Sequence, residues 1–461
     1  MKVILVVTDS LRRDHLGAYG NPWIHTPNFD RLAAQANVFD HAYIGSFPTV
    51  PTRRDLFLGR GDKGVPFNRW KMIDGDEVTL PERLAQAGVP SMMVTDVQNT
   101  VTRGINLYKG FTAWVCNRGQ EADPCCMDAG VPLEFPVDPE LIRYGADWWH
   151  QILQTRAHRR VEEDWFAPKT YSKAIEWLER NYTRPDFFLY LDTFDPHEPW
   201  DPPVWYEEMY DTGFHGRRFE APTYGLLKSL GITARELKSI RARYAGEVSM
   251  VDASFGRLLA ALERLGIKDE VLLIFTTDHG TCMGYPDDNG MLQKGHMLGA
   301  DGRMMAAGKP AVQPHQWFPH YRGVCHIPLM IKLPGQTGER RFEAITQPWN
   351  ITATVLDAFG VDIAPELWGQ SLLPLLTGKT KSVQDAAVLG AAGGHAQVMT
   401  REWMYCTWRG QRKPALYDLE ADPNTRRNVV SKHAEVVSAL REHLAAYLDR
   451  QGMGEMLARY E

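Results

Sequence analysis

Apolar positions along this chain fall into short uninterrupted runs, separated by longer stretches with helical spacing. Residues 2–8 form a β-branched apolar run closed by Asp9, which predicts a strand buried on both faces with an acidic residue at its C-terminal end. The same texture recurs at 39–44, 90–97, 186–194, 271–277 and 327–335. Between these runs, residues 80–88, 165–181 and 233–265 place apolar side chains at helix spacing. The longest opens on Thr233 with Glu236 in capping-box position and stops at Gly266. Thr26-Pro27 opens another helix, with threonine as cap and proline in the first turn. Strands alternating with helices imply an α/β fold, a mostly parallel sheet covered by helices on both faces.

Three stretches depart from this texture. Residues 103–139 have no sustained period and hold Cys125-Cys126, so they are expected to form a long insertion, part of a substrate lid. Residues 281–321 are glycine-rich and read as an irregular active-site or interface loop containing Lys294, His296, His315 and His320. Beyond about residue 378 come short strands at 387–391, 396–408 and 416–419, then an amphipathic helix at 432–450. This predicts a small C-terminal antiparallel sheet with a terminal helix. The expected division is a catalytic domain over 1–378 and a C-terminal α+β subdomain over 379–461.

Composition narrows the function classes. A chain of 461 residues, 44% hydrophobic and 23% charged, is ordinary for a globular protein and long enough for an enclosed site. The net charge of −6 argues against nucleic acid or an anionic membrane as partner. The short basic cluster at 156–160 lies near Glu162, Glu163 and Asp164 and reads as a solvated helix face. The N-terminal apolar run meets Asp9 too soon for a signal peptide or membrane span, and the six cysteines show no C-x-x-C spacing. Reduced, mostly buried thiols and a cytoplasmic location are therefore expected.

Candidate chemistry gathers where strands end, which is where open α/β sheets bind ligands. Asp9 follows the first strand, Asp195-Pro196-His197-Glu198-Pro199-Trp200 follows the strand at 186–194, and Asp278-His279-Gly280 follows that at 271–277. After the strand at 39–44, Pro48 and Pro51 bracket Thr49, and Arg53 and Arg54 follow. This pattern reads as a rigid turn presenting a hydroxyl at a helix N-terminus, where negative charge is favoured. Two carboxylates and an imidazole suffice to hold a divalent cation beside that hydroxyl, and a cation there makes it a better nucleophile.

The order of these segments resembles the sulfatase family of the alkaline phosphatase superfamily over nearly the whole chain. The resemblance rests on Asp9 with 11–20, Thr26-Pro27-Asn28-Phe29-Asp30, Thr49-Val50-Pro51-Thr52-Arg53 with Gly59-Arg60, Asp195-Pro196-His197-Glu198-Pro199-Trp200, Thr277-Asp278-His279-Gly280, Pro328-Leu329-Met330-Ile331, Gly369-Gln370-Ser371-Leu372 and residues 416–423. It implies an alkaline-phosphatase-like fold and one divalent metal ion held by Asp9, Thr49, Asp278 and His279. Thr49 would also be the nucleophile and Arg53 its brace. His197 would protonate the leaving-group oxygen or orient the substrate, and Lys294 would hold a non-bridging oxygen, with Lys309 as competitor for that role. A second metal built from Asp192 or Asp195 with His197 and His326 would match two-zinc relatives. Asp14 reads instead as a local partner of Arg12 or Arg13. The implied partner is a small anionic ester, and a homo-oligomer is compatible with the sequence.

Two residues depart from the family pattern. Its sulfatases carry cysteine or serine where this chain has Thr49, and oxidise it to formylglycine; threonine is not a substrate for that maturation, so no formylglycine is expected. The hydrated aldehyde expels sulfate by elimination, an exit that a threonine ester lacks. Threonine nucleophiles of the superfamily serve phosphodiesterases, nucleotide pyrophosphatases and phosphoethanolamine transferases. The expectation is a metal-dependent hydrolase of phosphodiesters or phosphonate monoesters acting through a phospho-threonine. Sulfate ester hydrolysis, phosphoryl transfer and a catalytically silent binding role are the alternatives. Ser10 stands where many members place a second acidic or amide ligand, which favours Mn2+ or Zn2+ while admitting Ca2+.

Overall fold

The computed structural model describes residues 1–61, 70–102, 104–121, 123–143, 145–294, 297–298, 316–391, 394–408 and 413–460. In chain order the elements that matter here are β1 (Lys2–Thr8), α1 (Pro27–Ala33), β2 (Asn37–Tyr43), β3 (Ser46–Phe47), α2 (Thr49–Leu58), α3 (Leu80–Gln86), β4 (Ser91–Thr95) and β5 (Ala113–Cys116). They continue with α4 (Ala146–Arg156), α5 (Phe166–Asn181), β6 (Phe187–Thr193), α6 (Ala234–Arg264), β7 (Val271–Thr277), β8 (Leu329–Lys332), β9 (Arg340–Thr346) and α7 (Pro348–Ala358). The C-terminal part holds β10 (Ala387–Ala391), β11 (His395–Met399), β12 (Trp403–Trp408), β13 (Ala415–Asp418) and α8 (Ala434–Arg450).

The main sheet runs β2-β8-β7-β1-β6-β4-β5, with β9 and His326–Ile327 also paired to β2. It is mixed. β8 and His326–Ile327 oppose their neighbours, and the other strands share one direction. The unbroken apolar run of β1 follows from burial on both sides. Val3, Leu5 and Val7 pack with Leu56 and Phe57 of α2, Leu84 of α3 and Val355 of α7. Ile4 and Val6 pack with Leu32 of α1, Leu178 of α5 and Val248 of α6. Each such fully buried side chain contributes about 1.5–3 kcal/mol of hydrophobic stabilisation. The Thr79–Glu82 and Thr233–Glu236 capping boxes start α3 and α6. Thr26 precedes α1, but its hydroxyl accepts from the Gly17 amide instead of capping the helix.

In the C-terminal sheet, β10 to β13 are antiparallel. One face joins the main core through Leu389 and Met404, and the other packs Val388, Val398 and Tyr405 against Leu440 and Leu444 of α8. Its fifth strand comes from the other end of the chain. β3 pairs in parallel with β10, Ser46 beside Gly390 and Phe47 beside Ala391, so the C-terminal sheet holds the segment that leads into Thr49.

Several expectations change. Residues 103–139 contribute β5 to the sheet edge; Ala113 and Trp114 on it are exposed, so no buried period marked it. The run at 396–408 is a hairpin of β11 and β12, with the Thr400 amide donating to Trp403 O at 2.9 Å across a turn that lacks glycine and proline. The basic cluster after α4 is no solvated face. Arg156 and Arg159 both pair with Asp201, Arg156 also with Glu220, and their side chains are only 19% and 10% exposed. All six cysteines are free thiols, yet only Cys282, Cys325 and Cys406 are buried. Among the described residues no helix is long and apolar enough to cross a membrane.

Candidate active site

The parallel register of β1 and β7 pairs Thr8 with Thr277, so Asp9 and Asp278 leave neighbouring strands side by side. The Asp278 amide donates to Thr8 O at 3.0 Å, and Thr277 Oγ1 donates to the same carbonyl at 2.9 Å, locking the two strand ends together. Ser10 follows in the left-handed region at φ 63°, which turns its amide onto Asp278 Oδ1 (3.1 Å) and its hydroxyl onto Asp9 Oδ1 (2.8 Å). In the next turn of the β7 loop, His279 Nδ1 donates to Gly280 O at 2.9 Å. A Cβ on Gly280 would lie 2.1 Å from Gly323 O, so this close approach of two backbones requires glycine.

The Thr49 segment is held from within. Asp55 Oδ1 accepts the Ser46 hydroxyl at 2.9 Å, Asp55 Oδ2 accepts the Ser46 amide, and Thr52 Oγ1 donates to Ser46 O at 2.6 Å. Thr49 is the first residue of α2, as the proline bracket predicts, and is almost wholly buried. One turn on, Arg53 reaches into the sheet. Its Nη1 donates to Thr49 O (3.2 Å), Asp9 Oδ2 (3.0 Å) and Asp278 Oδ2 (2.6 Å), while Nε and Nη2 grip Asp192 at 2.9 and 2.8 Å. One guanidinium therefore ties the Thr49 segment to the ends of β1, β6 and β7.

Three buried carboxyl groups meet two cationic side chains here. Asp9, Asp192 and Asp278 face the fixed cations Arg53 and Lys294, whose Nζ lies 3.9 Å from Asp9 Oδ1. Burial opposes ionisation of Asp9, but Arg53, His197 and Lys294 hold its carboxyl below the usual range. Burial and the Asp9 charge push Asp278 well above that range in spite of Arg53, so Asp278 gains most from a further cation. Burial, reinforced by Lys294, drives His279 well below the ordinary imidazole value, which leaves it neutral with Nδ1 committed to Gly280.

His279 Nε2 is buried without a partner, 3.4 Å from Asp278 Oδ2 and 3.9 Å from Asp9 Oδ1, and the ligand atoms of the three residues lie within 4.8 Å of one another. An orphaned imidazole lone pair between two carboxylates fits a divalent metal. Asp278→Asn is expected to lower metal affinity by more than the about 10–100-fold typical of losing a residue behind the ligands. Metal analysis of the purified variant against wild type, after equal dialysis, checks this; unchanged metal content would count against the site.

A second group of side chains stands beside this centre. His197 stacks on Phe194 with ring centroids 3.9 Å apart, and its Nδ1 bonds the Glu198 carbonyl. Glu198 is fully buried. Its Oε1 accepts from Arg143 Nη1 at 2.6 Å and from the Tyr224 hydroxyl, and Arg143 lies over the Tyr224 ring at 4.8 Å. Burial opposes the Glu198 charge, but His197, Lys294 and Arg143 bring its carboxyl down to about 2. Burial lowers His197 below the ordinary imidazole range, against the opposing pull of Glu198.

Asp9, Arg53, Asp278, His279 and Lys294 meet at one centre, the Thr49 carbonyl joins it through Arg53, and His197 is near enough for its charge to act on Asp9. The structure does not assemble the alternative second metal set. Asp192 is taken by Arg53, Asp195 accepts from Gln120 Nε2 and the Ala167 amide, and His326 Nε2 bonds Asp40 O at 2.6 Å. Asp14 pairs with Arg12, as expected for a local partner. Trp200 is core, donating to Pro196 O and packing on Tyr244. Lys309, His296 and His315 lie outside the described residues. Sequence reasoning did not assign Asp192 as the anchor of Arg53, nor Glu198, Arg143 and Tyr224 as the support of His197. The signal for Asp192 was available, since it is a charge inside an otherwise apolar buried strand, which calls for a buried partner.

Known proteins resemble this chain along nearly its whole length. The family model described as Sulfatase matches residues 2–361, and that described as N-sulphoglucosamine sulphohydrolase, C-terminal, matches residues 314–450. The chain is 23% identical to an arylsulfatase of Clostridium perfringens, covering 98% of this chain and 95% of that protein. It is 24% identical to an N-acetylgalactosamine-6-O-sulfatase of Bacteroides thetaiotaomicron, covering 97% and 93%. Among solved structures, the phosphonate monoester hydrolase of Agrobacterium radiobacter superposes with a TM-score of 0.72 at 21% identity, over 98% of this chain and 96% of that one. With the model matched from β1 past the end of α7, the chain belongs to the sulfatase family of alkaline-phosphatase-like hydrolases.

Proposed function

We propose that this sulfatase-family hydrolase acts on phosphodiesters or phosphonate monoesters, small anionic esters, with Thr49 as nucleophile. The observation that carries the reading is the placement of a threonine, not an oxidisable cysteine or serine, at the head of α2. There its carbonyl shares Arg53 Nη1 with Asp9 and Asp278.

Thr49 Oγ1 loses its proton to water and attacks phosphorus; the P–O bond to the leaving group breaks on the far side, and His197 Nε2 gives that oxygen a proton. Water then attacks phosphorus and gives its proton to His197, while the P–Oγ1 bond breaks and Thr49 Oγ1 takes back a proton from solvent. Arg53 neutralises charge beside the nucleophile, and Lys294 holds a non-bridging oxygen. Asp9, Asp278, His279 and Thr49 would hold a divalent cation, whose positive charge would make the hydroxyl more acidic and the phosphorus more electrophilic. One imidazole, only two carboxylates and a hydrogen-bonding Ser10 favour Mn2+ or Zn2+ over Ca2+.

Sulfate ester hydrolysis is the second reading, favoured by the names of the sequence relatives. Parallel kcat/KM measurements on an aryl phosphodiester, an aryl phosphonate monoester and an aryl sulfate separate the two, and the sulfate is expected to be slowest. His197→Gln is expected to slow esters with alkyl leaving groups by about 10²–10⁴-fold and to spare a nitrophenyl ester, whose leaving oxygen needs no proton. Because burial keeps His197 below the ordinary imidazole range, wild-type turnover of alkyl esters should fall as pH rises past that lowered value. A variant equally slow on both ester types would exclude the acid role.

A further inference from the structure

The insertion between β4 and α4, together with the turn that follows α4, carries a cluster of donor atoms that the reaction does not use. Cys126, Asp128 and His158 each offer one ligand atom, and these atoms lie within 4.8 Å of one another. Cys125 Sγ is 3.4 Å from Cys126 Sγ, and His158 Nε2 is 2.6 Å from Asp128 Oδ2. Met127 between them is 95% exposed, while Cys126 and Asp128 both bring their ligand atoms to His158. The donors are borderline to soft, two sulfurs and an imidazole with one carboxylate, which is the chemistry of tetrahedral zinc and unlike the oxygen-rich catalytic centre. Two thiolates on one tetrahedral zinc sit about 3.8 Å apart, so the sulfur pair is already near that spacing, and the ion would replace the His158–Asp128 hydrogen bond, parting those two donors by about 0.7 Å.

The surroundings already hold these donors against α4. A Cβ on Gly119 would lie 2.8 Å from Thr155 Cγ2 and 3.1 Å from Cys125 Sγ, and Gly119 has φ +114°, so glycine admits the close approach of this turn to α4. The Asp128 amide donates to Gln154 Oε1 at 3.2 Å, and His150 Nε2 bonds Val131 O at 2.9 Å. The same segment turns inward at Gln120, which donates to Asp195, and at Glu121, which is held in the left-handed region at φ 57° and pairs with Arg143. Its outer edge thus carries the donors, while its inner edge touches the Glu198 support of His197.

We propose that Cys125, Cys126, Asp128 and His158 form a structural Zn2+ site that staples this insertion to the end of α4, each thiol releasing its proton to solvent as the ion binds. The site is separate from the catalytic centre and redox-inert.

Co2+ distinguishes the two centres, because sulfur ligands give an intense near-ultraviolet charge-transfer band that a centre built from Asp9, Asp278, His279 and Thr49 cannot give. Metal-stripped, phosphine-reduced full-length protein titrated with Co2+ is expected to develop this band. Asp278→Asn should retain it, and Cys126→Ser and His158→Ala should lose it while still binding the catalytic metal. Zinc analysis of the Asp278→Asn protein should find bound zinc that disappears on adding Cys126→Ser. A band that survives Cys126→Ser, no band in the reduced protein, or an intact mass showing Cys125 and Cys126 joined as a disulfide after purification with zinc and without oxidant would each overturn the proposal.

Discussion

Thr49→Ala is expected to reduce phosphodiester and phosphonate monoester turnover by at least about a thousandfold in kcat. The prediction is sharp because the loop does not depend on this side chain for its shape. Asp55 and Thr52 hold Ser46, and Arg53 takes the Thr49 carbonyl, which alanine also supplies. The variant should therefore fold, and because the hydroxyl is also a proposed metal ligand its rate is read at saturating metal, where the loss reports the attacking oxygen. Thr49→Ser should retain measurable turnover, since it keeps the hydroxyl. Thr49→Cys, produced in a host that oxidises the family's cysteine to formylglycine, should move the preference towards aryl sulfate by at least about tenfold, since the hydrated aldehyde opens the elimination route. Steady-state kinetics with metal analysis on the same samples checks all three. Thr49→Ala with wild-type turnover would remove Thr49 from the reaction.

Arg53→Met carries the second large expected effect, and here stability and activity fall together. Arg53 is 1% exposed and is paired with Asp9, Asp192 and Asp278, so removing its charge strands carboxylates at three adjoining strand ends. Breaking a buried ion pair from one side costs about 3–5 kcal/mol, and the carboxylates relax only by taking up protons. The variant should unfold at markedly lower urea and should recover more stability than wild type as pH falls. Arg53→Lys should restore only part of the loss, because an ammonium cannot grip Asp192 with two nitrogens while bridging Asp9 and Asp278. Urea titrations at two pH values separate this from a local catalytic defect; a variant as stable as wild type at both would show that the three carboxylates do not depend on Arg53.

The sequence makes legible whatever one short run of residues decides. β1 and β7 are visible because burial on both faces leaves an unbroken apolar run, and the residue after each run is an acid with no structural reason to sit there. Thr49 at a helix start is visible because two prolines and the following residues encode the turn. What stays hidden depends on register or on partners far along the chain. That Asp192 clamps Arg53 needs the alignment of β6 against β1, where Val7 faces Asp192. That β3 belongs to the C-terminal sheet depends on a pairing of Ser46 with Gly390, which no local pattern announces. β5 was missed because an exposed edge strand has no burial period, and the Arg156 cluster was misread because its counter-ions, Asp201 and Glu220, lie far along the chain. The Thr26 hydroxyl shows the same limit on a small scale: the cap residue is correct, and a tertiary contact takes its oxygen.

The central claim is that Thr49 carries the transferred group through phosphorus chemistry, and the most direct measurement is the mass of the enzyme caught in turnover. Wild-type protein mixed with an excess of an aryl phosphonate monoester and quenched in acid within one turnover should gain the mass of the phosphonyl group, mapped by peptide fragmentation to Thr49 and absent from Thr49→Ala. No adduct on Thr49 during turnover, or an adduct on another residue, would contradict the account.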